Sequence, residues 1–420
     1  MKRIIAVILC AACLFALAGC KSDRGDPVTI KEPNEKGVKV TMTGNEFDDK
    51  LLSFAASTAE GNYMISPLSF RYALGLLLAG AEGETKDELL SALGVNDVEE
   101  WTDFCLKFAG FIDRYDDSLE RDIAEHNLYK KDMERMGIPA PFRALRVANS
   151  IWKNENIGRD FKDDYKRYVS DNYDAEYNTF NPENAVTKIN DWASEKTEKM
   201  IPKLLPENYD ASNLGVVLMN ALYFKDSWIN TFDKYATASD DFHTKSGETV
   251  KKDFMHQTED LNYYADKDTQ IVILPMEGGV NMAFVLGDRA DLAEKISMCS
   301  SQRVDVKIPK IDMETSFDKK EFINFLKING ASAAFDKEKA DFSAMIDEQI
   351  WVDDIIQKTK IKTDENGVEA AAVTSIMAMA TGMIEQDDIV EFVADRPFSF
   401  YIYASIDDIT AVLFAGEVVE

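Results

Sequence analysis

Few side chains in this sequence could carry out covalent chemistry. Histidine occurs three times, as His126, His243 and His256, and no H-E-x-x-H pair of metal ligands is present. No G-x-S-x-G turn would present a serine nucleophile, and no glycine-rich loop would cradle a phosphate. Carboxylates are abundant, but in a chain of 420 residues with formal net charge −28 most of them are solvated surface. An enzyme such as a surface hydrolase is therefore the weaker functional class, and neither metal nor cofactor is expected. The residues of unusual type and spacing lie near the C-terminus: Glu365-Asn366-Gly367-Val368-Glu369-Ala370-Ala371-Ala372-Val373-Thr374-Ser375. From Glu369 to Glu385 no charge or proline intervenes. An exposed mobile segment is normally polar or rich in glycine and proline; this one is composed to leave the surface and become a buried strand. At period two, one face carries Val368, Ala370, Ala372, Thr374, Ile376 and Ala378, all small or apolar. The other face carries Glu369, Ala371, Val373, Ser375 and Met377. On local propensity alone an alanine-rich helix capped by Gly382 competes with this reading.

The elements that must position such a segment follow from periodicity. Apolar residues at three- and four-residue spacing predict helices over Phe47 to Ala59, Ser69 to Ala79, Glu84 to Leu93 (ending at Gly94), Phe161 to Tyr173, Ala185 to Met200 and Phe322 to Leu326. Strands are predicted over Val216 to Phe224, Gln270 to Pro275, Asn281 to Gly287, Gln302 to Ile308 and Trp351 to Thr363. In the last of these Gln357, Thr359, Ile361 and Thr363 share one face, and Lys358, Lys360 and Lys362 the other. Phe398 to Ile406 and Ala411 to Val419 form a hairpin turning at Asp407-Asp408. The fold class is α+β, in one domain without an internal repeat. An acidic sequence without a basic run excludes nucleic-acid and heparin-like partners.

Residues 1–20 read as a targeting segment. Lys2 and Arg3 precede the apolar run Ile4 to Ala16, and Leu17-Ala18-Gly19-Cys20 resembles the bacterial lipoprotein signal, in which the cysteine thiol is lipidated. The alternative is an ordinary secretory signal with Cys20 incidental. Residues 21–44 read as a polar tether. These features predict export and a lipid anchor at the periplasmic, outer-membrane or cell-surface side. Of the remaining cysteines, Cys105 and Cys299 are expected as ordinary thiols, with a single bridge as the alternative.

Several separated motifs in a fixed order resemble the serpin family over residues 45–420. They are Asn62-Tyr63-Met64-Ile65-Ser66-Pro67-Leu68-Ser69, Gly83-Glu84-Thr85 with Glu88-Leu89, Val217 to Lys225 followed by Trp228, Ile308-Pro309-Lys310, Asp336 to Ser343, Arg396-Pro397-Phe398, and Leu413 to Val418. The resemblance implies a large central sheet surrounded by helices. It also makes the alanine-rich segment, about 365–396, an exposed reactive-centre loop. Loop insertion as a strand is a general property of serpins. A protease attacks the loop as substrate, the loop inserts, and the covalently tethered enzyme is deformed before it can deacylate.

Carried onto this sequence, the resemblance makes Glu365, Gly367, Val368, Glu369, Ala370, Ala371 and Ala372 the hinge, with Glu365 paired to Lys310. Two unrelated surface charges are the alternative. Ser66, Ser69, Asn220, Trp228 and Gln357 would be the residues under and above the opening sheet, with N-capping as the other role of the two serines. Two departures stand out. Val368 replaces the usual Thr or Ser, and Gln357 replaces a histidine that in relatives bonds the asparagine at Asn220. Counting by the family's usual loop length puts the scissile bond at Thr381-Gly382, with Met379, Ala380 and Met383 as rivals. Val368 to Asp395 contains no Lys or Arg, which disfavours trypsin-like proteases. Elastase-, subtilisin- or chymotrypsin-like enzymes fit, and papain-like cysteine proteases come second. The partner is thus a protease held in covalent complex with a monomer. The competing reading is a non-inhibitory member acting as a carrier, a binding module or a plain protease substrate.

Overall fold

The computed structural model describes residues 41–42, 45–136, 140–212, 214–317, 321–368, 389–407 and 409–420. Residues Lys39–Glu420 form one compact unit. Its two sheets share an apolar core with the surrounding helices.

The sheet that matters for function has six strands. They are β1 (Ala144–Asn154), β2 (Ala175–Phe180), β3 (Val216–Ser227), β4 (Asp312–Phe317), β5 (Val352–Asp364) and β6 (Gly367–Val368). Their order is β4-β5-β6-β3-β1-β2. β5 alternates as its side chains require: Gln357, Thr359, Ile361 and Thr363 are buried, and Lys358, Lys360 and Lys362 point away from the core. Helix α1 (Pro67–Leu78) is buried along its whole length and packs against β3. The opposite face of β3 packs Val217, Met219 and Ala221 against the helix Ala185–Lys196 through Ile189, Trp192 and Ala193.

β5 and β3 are parallel, and they pair directly only at one end, from Val352↔Val216 to Ile356↔Met219. Beyond that the ladder stops. No strand among the described residues pairs with Gln357–Lys362 or Asn220–Lys225 on the edges that face each other.

The second sheet contains the C-terminal hairpin Phe398–Ile406 and Ile409–Val418, turning through Asp407 at φ 53°. Strand Val390–Val393 returns from the alanine-rich segment and pairs in parallel with Ser300–Pro309 at the edge of this sheet.

One expectation needs correction. The helix from Ala185 stops at Lys196 rather than Met200. Thr197 donates its hydroxyl to the Ala193 carbonyl at 2.7 Å, and Glu198 and Lys199 turn left-handed, with φ 49° and 70°. The longest helix among the described residues, α2 (Val98–Leu128), has no counterpart among the predicted elements. It buries Trp101, Phe104, Cys105, Phe108, Phe111 and Tyr115 on one face and starts from an Asp97 carboxylate cap on the Glu100 amide. Cys105 and Cys299 are free thiols.

Candidate functional site

β5 runs out of its hydrogen bonds to β4 at Lys362. The chain then turns through Glu365 and Asn366 and doubles back as β6. The turn is held from several sides. The Asn366 amide donates to the Asp364 carboxylate at 2.8 Å. The Phe232 amide donates to the Glu365 carbonyl at 2.8 Å, and the Trp228 amide to the Asn366 carbonyl at 2.9 Å. Trp228, itself buried, also donates its indole Nε1–H to the Asp364 carbonyl at 3.0 Å. Trp228 thus closes the top of the opening between the strands by bonding the backbone of the turn.

Lys310 Nζ lies 2.7 Å from Glu365 Oε1. The Thr237 hydroxyl donates to the same oxygen at 2.7 Å. Burial pushes the Glu365 carboxyl up, but these two donors outweigh it, so its pKa lies below the usual glutamate value. Thr237 is a partner that the sequence did not reveal.

β6 is two residues long and pairs on both sides. Gly367 faces Asp364 of β5 and Ser227 of β3; Val368 faces Thr363 and Asp226. The approach at Gly367 is close: a Cβ there would fall 2.0 Å from the Asp226 carbonyl oxygen and 2.7 Å from the Ser227 Cα. Only a residue without a side chain fits between the strands at this point. Val368 is 2% exposed and joins the main core, so valine occupies this seat without an unsatisfied polar atom.

Lower in the opening, a polar cluster lies where α1 meets the sheet. The Ser66 hydroxyl caps α1 by accepting from the Ser69 amide at 3.2 Å. Ser69 donates to Asn220 Oδ1, and Asn220 Nδ2 donates to Asn149 Oδ1. Asn149 in turn donates to the Tyr173 carbonyl at 3.0 Å. Gln357 is spent on main chain: its Oε1 accepts from the Ser66 amide at 2.9 Å, and its Nε2 donates to the Ser66 carbonyl at 3.0 Å. The amide therefore ties β5 to the start of α1, while Asn220 takes its bonds from Ser69 and Asn149. Both parts are buried, and each bond replaces one that water would otherwise make. Asn149, on a strand that the periodicity does not predict, carries no local spacing that marks it for this cluster.

The structure thus brings Lys310, Glu365, Gly367, Val368 and Trp228 together at the top of the opening, and Ser66, Ser69, Asn220 and Gln357 beneath it. Glu369, Ala370, Ala371, Ala372, Met379, Ala380, Thr381, Gly382, Met383 and Cys20 lie outside the described residues.

A family model described as Serpin (serine protease inhibitor) matches residues 43–420. The chain belongs to the serpin family. An uncharacterized serpin-like protein of Methanosarcina mazei is 27% identical over 452 residues, covering 100% of this chain and 98% of its own length. The structure of an Arabidopsis serpin in its native stressed conformation matches with TM-score 0.72 at 26% identity, covering 91% of this chain and 98% of that one. A thermophilic serpin, tengpin, in its native state matches with TM-score 0.70 at 25% identity, covering 95% and 97%. Serpins are in general inhibitors of proteases rather than enzymes, and the fold of this chain is theirs.

Proposed function

We propose that this serpin inhibits by acting as a suicide substrate whose reactive loop inserts between β5 and β3. The observation that carries the reading is β6: Gly367 and Val368 of the hinge are already paired to both strands. Below them lie the two facing edges that no described strand pairs. Continuing the observed register one residue at a time assigns partners as far as Thr374, where the direct pairing of β5 with β3 begins. Glu369 meets Lys362 and Lys225 on the outer face. Ala370 meets Ile361 and Phe224 on the inner face, Ala371 meets Lys360 and Tyr223, and Ala372 meets Thr359 and Leu222. Thr374 arrives between Gln357 and Asn220. Ala370 and Ala372 are thereby matched to the buried face and Glu369 to two lysines.

The chemistry is that of an interrupted hydrolysis. At a bond such as Thr381-Gly382 the protease serine attacks the carbonyl carbon and the peptide C–N bond breaks. The new amine of Gly382 takes its proton from the protease's histidine, leaving an ester. Insertion then carries the ester and its protease along the sheet. Displacement of catalytic groups by about 1 Å is enough to slow deacylation on the order of a hundredfold. The absence of Lys and Arg from Val368 to Asp395 favours elastase-, subtilisin- or chymotrypsin-like targets. Mixing the protein with pancreatic elastase and running denaturing gels with intact mass spectrometry tests this. The expected product is a covalent species at the summed mass with a released C-terminal peptide, whose first residue locates the bond. Clean loop cleavage with fully active protease would instead favour a non-inhibitory serpin.

We further infer that Cys20 carries a lipid that tethers the inhibitor to a bacterial envelope, a reading supported by Leu17-Ala18-Gly19-Cys20 after an apolar run. A Cys20→Ser variant expressed in a bacterial host should move from the membrane pellet to the soluble fraction. An unchanged distribution would contradict the anchor.

A further inference from the structure

Directly opposite Val368 on the ladder stands Asp226, a carboxylate that the inhibitory mechanism does not use. Residues directly opposite on an antiparallel pair share a face, with Cβ atoms roughly 5 Å apart. Both side chains are therefore on the inner face, where Asp226 is 1% exposed. Its acceptors are partly satisfied. Oδ1 accepts from the Ser227 amide at 2.8 Å, and Oδ2 from the Gly278 amide at 3.0 Å. The Tyr115 hydroxyl, on α2, sits between this carboxyl and the Lys225 carbonyl, to which it donates at 3.1 Å. Arg143 is the cation that acts on Asp226. Its guanidinium is engaged elsewhere, with Asp122 at 2.9 Å and the Ser118 hydroxyl at 2.5 Å, and it lies 5.6 Å from the Tyr115 ring centroid. The hinge itself contributes only the apolar Val368. A buried carboxyl that faces a phenol, two amides and a shared cation, with an aliphatic lid, holds its charge at a cost.

We propose that the protonation state of Asp226 sets how firmly the hinge is seated, so that the reactive segment is held by the sheet in mildly acidic medium and loosened as the medium approaches neutrality. The inference rests on reading β6 as the start of loop insertion. Burial raises the Asp226 carboxyl to about 7, against the bonds from Ser227 and Gly278, the charge of Arg143 and the Tyr115 hydroxyl. Lifting Val368 lets water reach the carboxyl, which lowers its pKa toward the ordinary range near 4. The seated form therefore binds more protons than the lifted form. Seating is most favourable below the lifted-state value, weakens as pH climbs from there, and levels off above about 7.

The test is amide hydrogen exchange at Gly367 and Val368 on the whole protein from pH 5 to 8.5, each rate divided by that of Asp226→Asn at the same pH to remove the intrinsic dependence. The expected ratio shows wild-type protection falling by up to about tenfold per pH unit below neutrality and flattening above it. Tyr115→Phe keeps the ring, removes the hydroxyl that holds the Asp226 carboxyl down, and should extend the fall to higher pH; it decides the matter should Asp226→Asn fail to fold. A ratio that is constant with pH, or a Tyr115→Phe profile identical to wild type, would overturn the proposal. The exchange profile is independent of protease trapping: failure to form a complex with elastase would count against inhibition while leaving this result standing.

Discussion

Replacing Ala370 by glutamate is expected to turn the inhibitor into a substrate, while the same replacement at Ala371 leaves inhibition intact. The two positions are neighbours in sequence and have the same side chain, so propensity and loop exposure do not separate them. The register of β6 does. Extended by two residues, it places Ala370 between Ile361 and Phe224, which are both buried in the main core. A carboxylate there must be desolvated without a partner, at a cost of several kcal/mol. Ala371 falls on the opposite face beside Lys360, where a carboxylate gains a cation. Insertion competes with deacylation, so each ~1.4 kcal/mol added to the insertion barrier shifts the partition about tenfold toward hydrolysis. The measurement is the number of inhibitor molecules consumed per elastase molecule silenced. It should rise at least tenfold for Ala370→Glu and stay within about twofold of wild type for Ala371→Glu. Equal values for the two variants would mean that the segment does not enter the sheet in this register.

Much of the machinery was legible because it is local. β5 announced itself by strict alternation of Gln357, Thr359, Ile361 and Thr363 with three lysines, and the structure buries the first set and leaves the lysines outside. Helix Gly83–Leu93 ends at Gly94 in the left-handed conformation because glycine alone takes it without strain. The hairpin at Asp407 was readable from its two-residue turn. Helix α2 left a signal in the three- and four-residue spacing of Trp101, Phe104, Cys105, Phe108 and Phe111, which the dense charges between them obscured.

What was not legible is long-range. Strand Thr249–Ala265 buries only Phe254, Met255, Leu261 and Tyr263 of its 17 residues, so no apolar period marks it. Thr237 reaches Glu365 across 128 positions, and Asn149 reaches Asn220 across 71. Neither residue has a local spacing that marks it. Gln357 was identifiable as a departure, but its choice of the Ser66 main chain over Asn220 depends on where the chain enters α1 beside β5. The steric need for glycine at position 367 likewise comes from the Asp226 backbone packed against it, a long-range contact.

The central claim is that the segment after Val368 is a strand waiting for a place in the sheet. Each residue that enters gains up to two ladder hydrogen bonds, worth about 1 kcal/mol each net. This is opposed by about 1–2 kcal/mol of backbone ordering. The terms nearly cancel, and burial of the inner-face side chains at about 25 cal/mol per Å² tips the balance toward insertion. While the loop is intact its far end is held by strand Val390–Val393 on the other sheet. Cutting the loop removes that restraint and lets the segment fill the open edges, and go further as the short direct ladder from Val352↔Val216 to Ile356↔Met219 parts. The direct measurement is therefore the thermal unfolding midpoint before and after a single cut between residues 377 and 385, made with a protease that is afterwards removed. Insertion predicts a rise of at least about 10 °C in the nicked protein, with both fragments still associated. An unchanged or lowered midpoint would show that the freed segment stays outside the sheet, and would contradict the account.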